Sequence, residues 1–492
     1  DTTAPTVALT YSPNRAVKSG DSVTVTATFS EAMASSPTIA IAVPSGGTNA
    51  VTSTAMTSTS SSVWTYAYTV GTGNGTATVT IAGTDVALNA NASATNATFT
   101  VDNTAPVVAL TYAIASSVPA NATAAAALTY ASSASRPVTT GDIVVVKAVT
   151  TEATGLASAL VLSLDGSRTI TALETYNTSS SVGTTYFTHT VASGNDGSAT
   201  VSVTAPDTAG NAAVASGTTT FTVDTTAPTA ATSLALAATG GTNQVANTLN
   251  AGNTNFTVTA TITGDVGSAG GTAELLVGGA SFSTPVTAIV ASGATSVSLT
   301  PSFTTTTAVQ AAMAAGTLSV TLKLTDSAGN VATSGALSVL ADYTDPTAAT
   351  GLALTATGGT NQVANALNAG NTNFTVTATI TGDVGTGGGT AELLVGAASF
   401  STPVTASVAS GATTVSLTPS FTTAAQVQAA MSDGSKSLTV KLTDSAGNVT
   451  TSSALTVLAD YTAPTAATGL AFTASGGTVV SNALNATNTN FT

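Results

Sequence analysis

One short segment recurs along the chain: DTTAP at Asp1, DNTAP at Asp102, DTTAP at Asp224, DYTDP at Asp342 and DYTAP at Asp460. Self-similarity at such spacing is the mark of a repeat architecture, in which each repeat is one supersecondary unit. The junctions divide the chain into units 1–101, 102–223, 224–341 and 342–459, followed by 460–492, the partial start of a fifth. Units three and four are near copies. GGTNQVAN stands at Gly240–Asn247 and Gly358–Asn365, and NTNFTVTATITGDVG at Asn253–Gly267 and Asn371–Gly385. The fragment after Asp460 repeats the opening of that unit. A third of a unit cannot bury its own apolar face, so this reading expects further chain or a partner to complete it.

Within each unit the hydrophobic period is two. Val23, Val25, Ala27 and Phe29 alternate with threonines, as do Phe256, Val258, Ala260 and Ile262. Such alternation predicts strands with one face on a core and one in water. Gly73-Asn74-Gly75, Gly194–Gly197 and Ala328–Asn330 supply turns between them. About seven short strands in a unit of this size predict an all-β fold: tandem immunoglobulin-like sandwiches arranged as beads on a rod. The Gln/Ala/Met stretches Ala308–Ala315 and Ala425–Asp433 are the exception and predict a short helix crossing between two strands. The junction prolines (Pro5, Pro106, Pro228, Pro346, Pro464) hold the preceding residue extended and remove a donor, which suits a short, stiff linker.

Composition excludes several function classes. Charged residues are 6% of the chain, with 8 Lys and Arg against 22 Asp and Glu, so neither a nucleic acid nor an anionic membrane is an expected partner. There is no cysteine, which removes disulfides and thiolate chemistry. No apolar run is long enough to predict a membrane span, and no signal peptide opens the sequence.

The D-x-T-A-P junctions resemble those of the bacterial Ig-like repeats found in large adhesins, surface-layer proteins and related extracellular proteins. So do Ser19–Glu31 (SGDSVTVTATFSE) and the D-x-A-G-N turns at Asp207–Asn211, Asp326–Asn330 and Asp444–Asn448. The first unit departs from the pattern, since Asp85-Val86-Ala87-Leu88-Asn89 lacks the glycine, and a different loop shape is expected there. The resemblance implies a secreted, cell-surface structural protein. Its expected partners are copies of itself or other surface proteins.

More than half of the 22 acidic residues fall at three recurring places. One is the junction: Asp1, Asp102, Asp224, Asp342. One follows the second strand: Glu31, Glu152, Asp265, Asp383. One opens the late turn: Asp85, Asp207, Asp326, Asp444. In a sandwich of this topology the start of the first strand and these two loops share one pole. Three converging carboxylates repel by roughly 4 kcal/mol per pair at 4 Å and an effective dielectric near 20. No Lys or Arg recurs nearby in the sequence to offset this. Calcium, which takes six to eight oxygens, would. The resemblance implies calcium at the junctions as well. The competing reading is that each Asp caps its own turn.

Catalytic chemistry finds no foothold in the sequence. His189 is the one histidine and aligns with Tyr68, which predicts a sandwich-face position. Glu274 and Glu392 are equivalent positions in two units and cannot form one carboxylate pair. Trp64, Tyr66 and Tyr68 share one face by period two; that face is either core or a stacking platform, which makes a glycan a candidate partner. The expected role is a non-enzymatic stalk, filament or surface layer with calcium-stiffened junctions. A carbohydrate- or surface-ligand-binding module is the alternative.

Overall fold

A computed structural model of the chain describes every residue except 167, 175–181, 265, 268 and 383. The predicted alternation becomes alternating burial. Along Ser22–Phe29, Val23, Val25, Ala27 and Phe29 are buried while the threonines between them reach the surface. Asn255–Thr261 and Asn373–Thr379 repeat this with Phe256, Val258, Ala260 and Phe374, Val376, Ala378. Strands with one apolar face must pair that face with another sheet, and each unit does so.

In the first unit one sheet runs Val7–Ser12, Ser22–Phe29, Val63–Thr69, Thr57–Ser58 in spatial order. The other runs Val51–Ala55, Thr38–Ala42, Gly75–Ala82, Thr98–Val101. This is the strand order of an immunoglobulin-like sandwich. The second unit keeps it, with Thr171–Ala172, Val182–Thr190, Ile143–Thr151 and Val107–Ala115 facing Val161–Leu164, Gly197–Thr204 and Thr220–Val223. The third and fourth units each place a three-stranded sheet against a larger one.

Four large apolar clusters fill the sandwiches, drawn from Val7 to Val101, Val108 to Val223, Ala231 to Ala341 and Ala349 to Ala459. The buried members of each cluster come from a single repeat, and Tyr343 and Tyr461, one residue past a junction Asp, pack from the next repeat against the third and fourth. Three phenylalanines anchor the third core (Phe256, Phe282, Phe303) and three the fourth (Phe374, Phe400, Phe421), with ring centroids 6.0 to 6.4 Å apart. Full burial of one such ring contributes roughly 1.5–3 kcal/mol.

In every unit the stretch leading into the second strand runs parallel to the last strand. Val17 bridges Val101 and Val138 bridges Val223. Thr248–Leu249 pairs with Leu340–Ala341, and Ala366–Leu367 with Leu458–Ala459.

Short helices at Thr306–Ala312 and Ala424–Ala430 stand where the Gln/Ala/Met stretches predicted them. A further helix, Ala122–Ala126, was not expected. Asn121 caps it, and it covers the outer face of the second unit's main sheet. That face carries its own small cluster of Ala113, Ala125, Ile143, Val145 and Tyr186, so the strand Ile143–Thr151 is buried on both sides. Among the described residues no helix is long and apolar enough to cross a membrane. The closing fragment forms one small strand pair, Ala474–Ser475 with Asn490–Phe491, and leaves Leu470 and Phe491 exposed.

Candidate metal centre and unit junctions

The late turn has the same construction in all four sandwiches. Its Asp accepts hydrogen bonds from the backbone N–H and the side-chain amide of the Asn four residues on. In the second unit Asn211 N donates to Asp207 Oδ1 at 2.8 Å and Asn211 Nδ2 to Oδ2 at 2.7 Å. Asn89, Asn330 and Asn448 repeat both bonds to Asp85, Asp326 and Asp444. Each Asn also donates to the carbonyl oxygen of the junction Asp of its own unit: Asn89 to Asp1 at 3.3 Å, Asn211 to Asp102 at 2.9 Å, and Asn330 to Asp224 and Asn448 to Asp342 at 3.0 Å. The asparagine latches the late turn to the start of the unit. Sequence reasoning weighed the Asp and missed this partner, although its fixed offset was a usable signal.

The first unit's turn keeps the common shape, contrary to expectation. Asp85 N donates to Asn89 O and Leu88 N to Asp85 O, both at 3.1 Å, as Asp207 and Gly210 do in the second unit. Leu88 accomplishes this by adopting φ 70°, a conformation that favours glycine.

The topology brings the recurring acids together in two units. Carboxylate oxygens of Asp1, Glu31 and Asp85 lie within 4.8 Å of one another, and so do those of Asp102, Glu152 and Asp207. The second cluster is wholly buried. Glu152 Oε1 accepts from the N–H groups of Ala153 and Thr154, and Asp102 Oδ2 from Thr154 Oγ1 at 2.8 Å. Glu152 Oε2 is buried without a hydrogen-bond partner. An isolated buried carboxylate oxygen is costly, and its cost falls when a cation is supplied. Burial pushes the Asp85 carboxyl up, but the amide and backbone N–H groups of its turn outweigh this and hold it below its ordinary value.

In the third and fourth units Asp265 and Asp383 lie outside the described residues. Asp326 and Asp444 are buried and close their turns, and Asp224 and Asp342 each accept from the N–H two residues on, at Thr226 and Thr344. The loop after the second strand lies against the late turn in the fourth unit too, where Ser445 N donates to Val384 O at 3.2 Å. Turn capping is therefore a real role of these aspartates, and in the first two units the same carboxylates also converge.

Basic side chains do reach the junctions, which the sequence reading did not foresee. Arg15 Nη1 donates to Ala209 O of the following unit at 2.9 Å, and Arg136 Nη1 to Ala328 O of its follower at 2.8 Å. Each arginine is steered by an Asp six residues on, Asp21 or Asp142. The linkers are also held from behind. Asn74 Nδ2 donates to Thr104 Oγ1, and Asp196 accepts from Thr225 and Thr226. Tyr343 and Tyr461 donate to the carbonyls of Met313 and Met431.

The other weighed residues are structural. His189 is buried, 6.2 Å from Phe221 between ring centroids, with Nδ1 against Thr169 O. Trp64 and Tyr68 belong to the first core, with Trp64 8% exposed, so they offer a glycan no open platform. Glu274 and Glu392 pair across strands with Lys323 and Lys441.

No family model matches the chain, and no curated protein matches it. Among solved structures it is similar to a tetra-tandem repeat from the extending region of a large adhesion protein, at 19% identity over 93% of this chain and 100% of that one, with a TM-score of 0.29. It is also similar to part of a bacterial ice-binding adhesin, at 13% identity over 94% and 100% and a TM-score of 0.24. A run of titin domains matches at 10% identity over 69% and 99%, with a TM-score of 0.26. These values assign no family. The strand order and the repeated cores define the class: a tandem array of immunoglobulin-like sandwiches.

Proposed function

We propose that this chain is a structural extracellular spacer, a stalk or filament segment, whose first two junction poles bind calcium. The buried trio Asp102, Glu152 and Asp207 carries the reading, because Glu152 Oε2 faces burial with no protein donor. The donor set is all oxygen, which suits a hard divalent cation. Asp1, Glu31 and Asp85 offer the same chemistry with more exposure. Bound there, the cation would tie the linker Asp to two loops of the sandwich it enters and stiffen that end of the unit. Extracellular modules of this kind bind calcium with dissociation constants of about 10⁻⁴–10⁻³ M, matched to the outside of a cell. Sparse charge and separate cores suit a chain whose work is to span distance; four units of roughly 40 Å reach about 150 Å.

Isothermal titration with calcium, paired with scanning calorimetry, tests this. Binding at millimolar calcium and a higher melting temperature, about 2.7 kcal/mol at a hundredfold excess over the dissociation constant, are expected. No heat of binding and an unchanged melting curve would refute the metal. Electron microscopy of the native material separates isolated threads from filaments or ordered layers.

A further inference from the structure

The three seams between sandwiches share one contact. The third residue of each D-x-A-G-N turn presents its backbone carbonyl to the preceding unit. Ala209 O receives Arg15 Nη1, Ala328 O receives Arg136 Nη1, and Ala446 O receives Asn250 Nδ2 at 3.2 Å. The turn's asparagine adds a second acceptor at two of them. Asn330 Oδ1 accepts from Thr139 Oγ1, and Asn448 Oδ1 from Ala251 N at 2.8 Å. So the asparagine amide holds its own unit through Nδ2 and its predecessor through Oδ1.

We infer that this turn is the docking surface by which each sandwich fixes the orientation of the one before it. The partner it fits is an immunoglobulin-like unit presenting a guanidinium or a carboxamide beside its second strand. Domains within one chain move relative to each other unless a specific interface stops them. Here one acceptor is reached by two chemistries. Arg15 and Arg136 are held by the same cassette, a bond to the next residue's carbonyl and a pair with the Asp six residues on. Planar guanidinium is suited to satisfying several acceptors at fixed angles. The third seam replaces it with Asn250, whose backbone N–H is itself pinned by Asn253 Oδ1 at 2.7 Å.

Close approach separates the seams further. A Cβ added at Gly447 would stand 2.1 Å from Asn243 O of the preceding unit, whereas one added at Gly329 would meet nothing within 4 Å. Both glycines have similar positive φ, 91° and 102°, so alanine at either carries the same local strain. Only at Gly447 does it also push the neighbouring unit away.

The seams and the calcium proposal are independent, so the test is made in chelator. The chain has no cysteine, and spin labels can be placed singly. Exposed Ser163, Thr287 and Thr405, each changed to Cys in pairs, report the second-to-third and third-to-fourth junctions by pulsed electron-spin distance measurement on the full chain. The parent should give narrow distributions at both. Arg136→Ala should broaden the first about twofold and leave the second alone. Gly447→Ala should shift or broaden the second, while Gly329→Ala leaves the first unchanged. Asn250→Ala provides a second variant at the third seam that adds no backbone strain. Parent-like distributions in Arg136→Ala, Asn250→Ala and Gly447→Ala overturn the inference. Calcium should leave both distributions as they are in chelator, because the two acidic clusters lie at the entering poles of the first and second units and neither label pair spans them. Broadening in the variants therefore bears on the seams alone, and the metal reading stands or falls by the calcium titration.

Discussion

Asn211 Nδ2 stands 2.9 Å from the carbonyl oxygen of Asp102 and 2.7 Å from the carboxylate of Asp207, so one amide joins the first residue of a sandwich to its last turn. Residues more than a hundred positions apart are thereby set side by side. The same amide arrangement recurs at Asn89, Asn330 and Asn448, and it places the junction carboxylate at the pole where the other acids gather.

Removing the latch should destabilise the unit that carries it. Asn89→Ala takes a donor from Asp85 Oδ2, and an acceptor left short of its donor at so enclosed a position lowers the stability of the unit. Trp64 is the chain's one tryptophan and sits in the first core, so urea unfolding followed by its fluorescence reports this unit selectively. An unchanged midpoint would show that the amide does not hold the pole.

Leu88→Gly should do the opposite. Leu88 is 77% exposed, so glycine forfeits little packing, while φ 70° costs a branched residue about 1–2 kcal/mol. Part of that gain is offset by the extra freedom of glycine in the unfolded chain. The net expectation is a rise of about 0.5–1 kcal/mol, read by the same fluorescence midpoint.

The repeat pattern and the alternating threonines made the sandwiches legible, because burial on one face leaves a period of two in the sequence. The recurring acids were legible for the same reason: repetition exposed them as a set. The seams were not. Arg15 and Arg136 recur six residues before an Asp, but Asn250 differs in residue type and lies in a stretch that does not align with theirs, yet all three reach the same turn carbonyl, and a backbone acceptor leaves no trace in the sequence. The helix Ala122–Ala126 was missed because its alanines carry no apolar period, whereas the helices at Thr306–Ala312 and Ala424–Ala430 showed themselves by being duplicated.

Glu152→Gln should change sign with calcium. In chelator it removes one of three neighbouring buried charges and should raise the melting temperature of the second unit. In millimolar calcium it removes a ligand, and the calcium-dependent rise should shrink or vanish. Calorimetry in the two buffers checks both halves. A variant equally destabilised in each would mean that Glu152 acts only as a cap for Ala153 and Thr154.

Acid should loosen the linker after the second unit. Hydrogen bonds from the side chains of Thr225 and Thr226, then from the Thr225 N–H, hold the Asp196 carboxyl below its ordinary 3.8. A depressed folded value means that the contribution is complete above 3.8 and drains as pH falls from there through the folded value. Asp196→Asn cannot show this loss, so its melting temperature should depend less steeply on pH between about 4 and 2 than the parent's. Parallel acid limbs in the two proteins would rule Asp196 out as the group responsible.

The parallel pairing of Thr248–Leu249 with Leu340–Ala341, and its counterpart in each sandwich, has a mechanical consequence. Tension applied at the two ends of the array drags such neighbours past one another lengthwise, so their hydrogen bonds must rupture together instead of unzipping singly. Each bead should then yield abruptly, as a separate sawtooth in single-molecule extension, and the tether should lengthen in discrete steps under load.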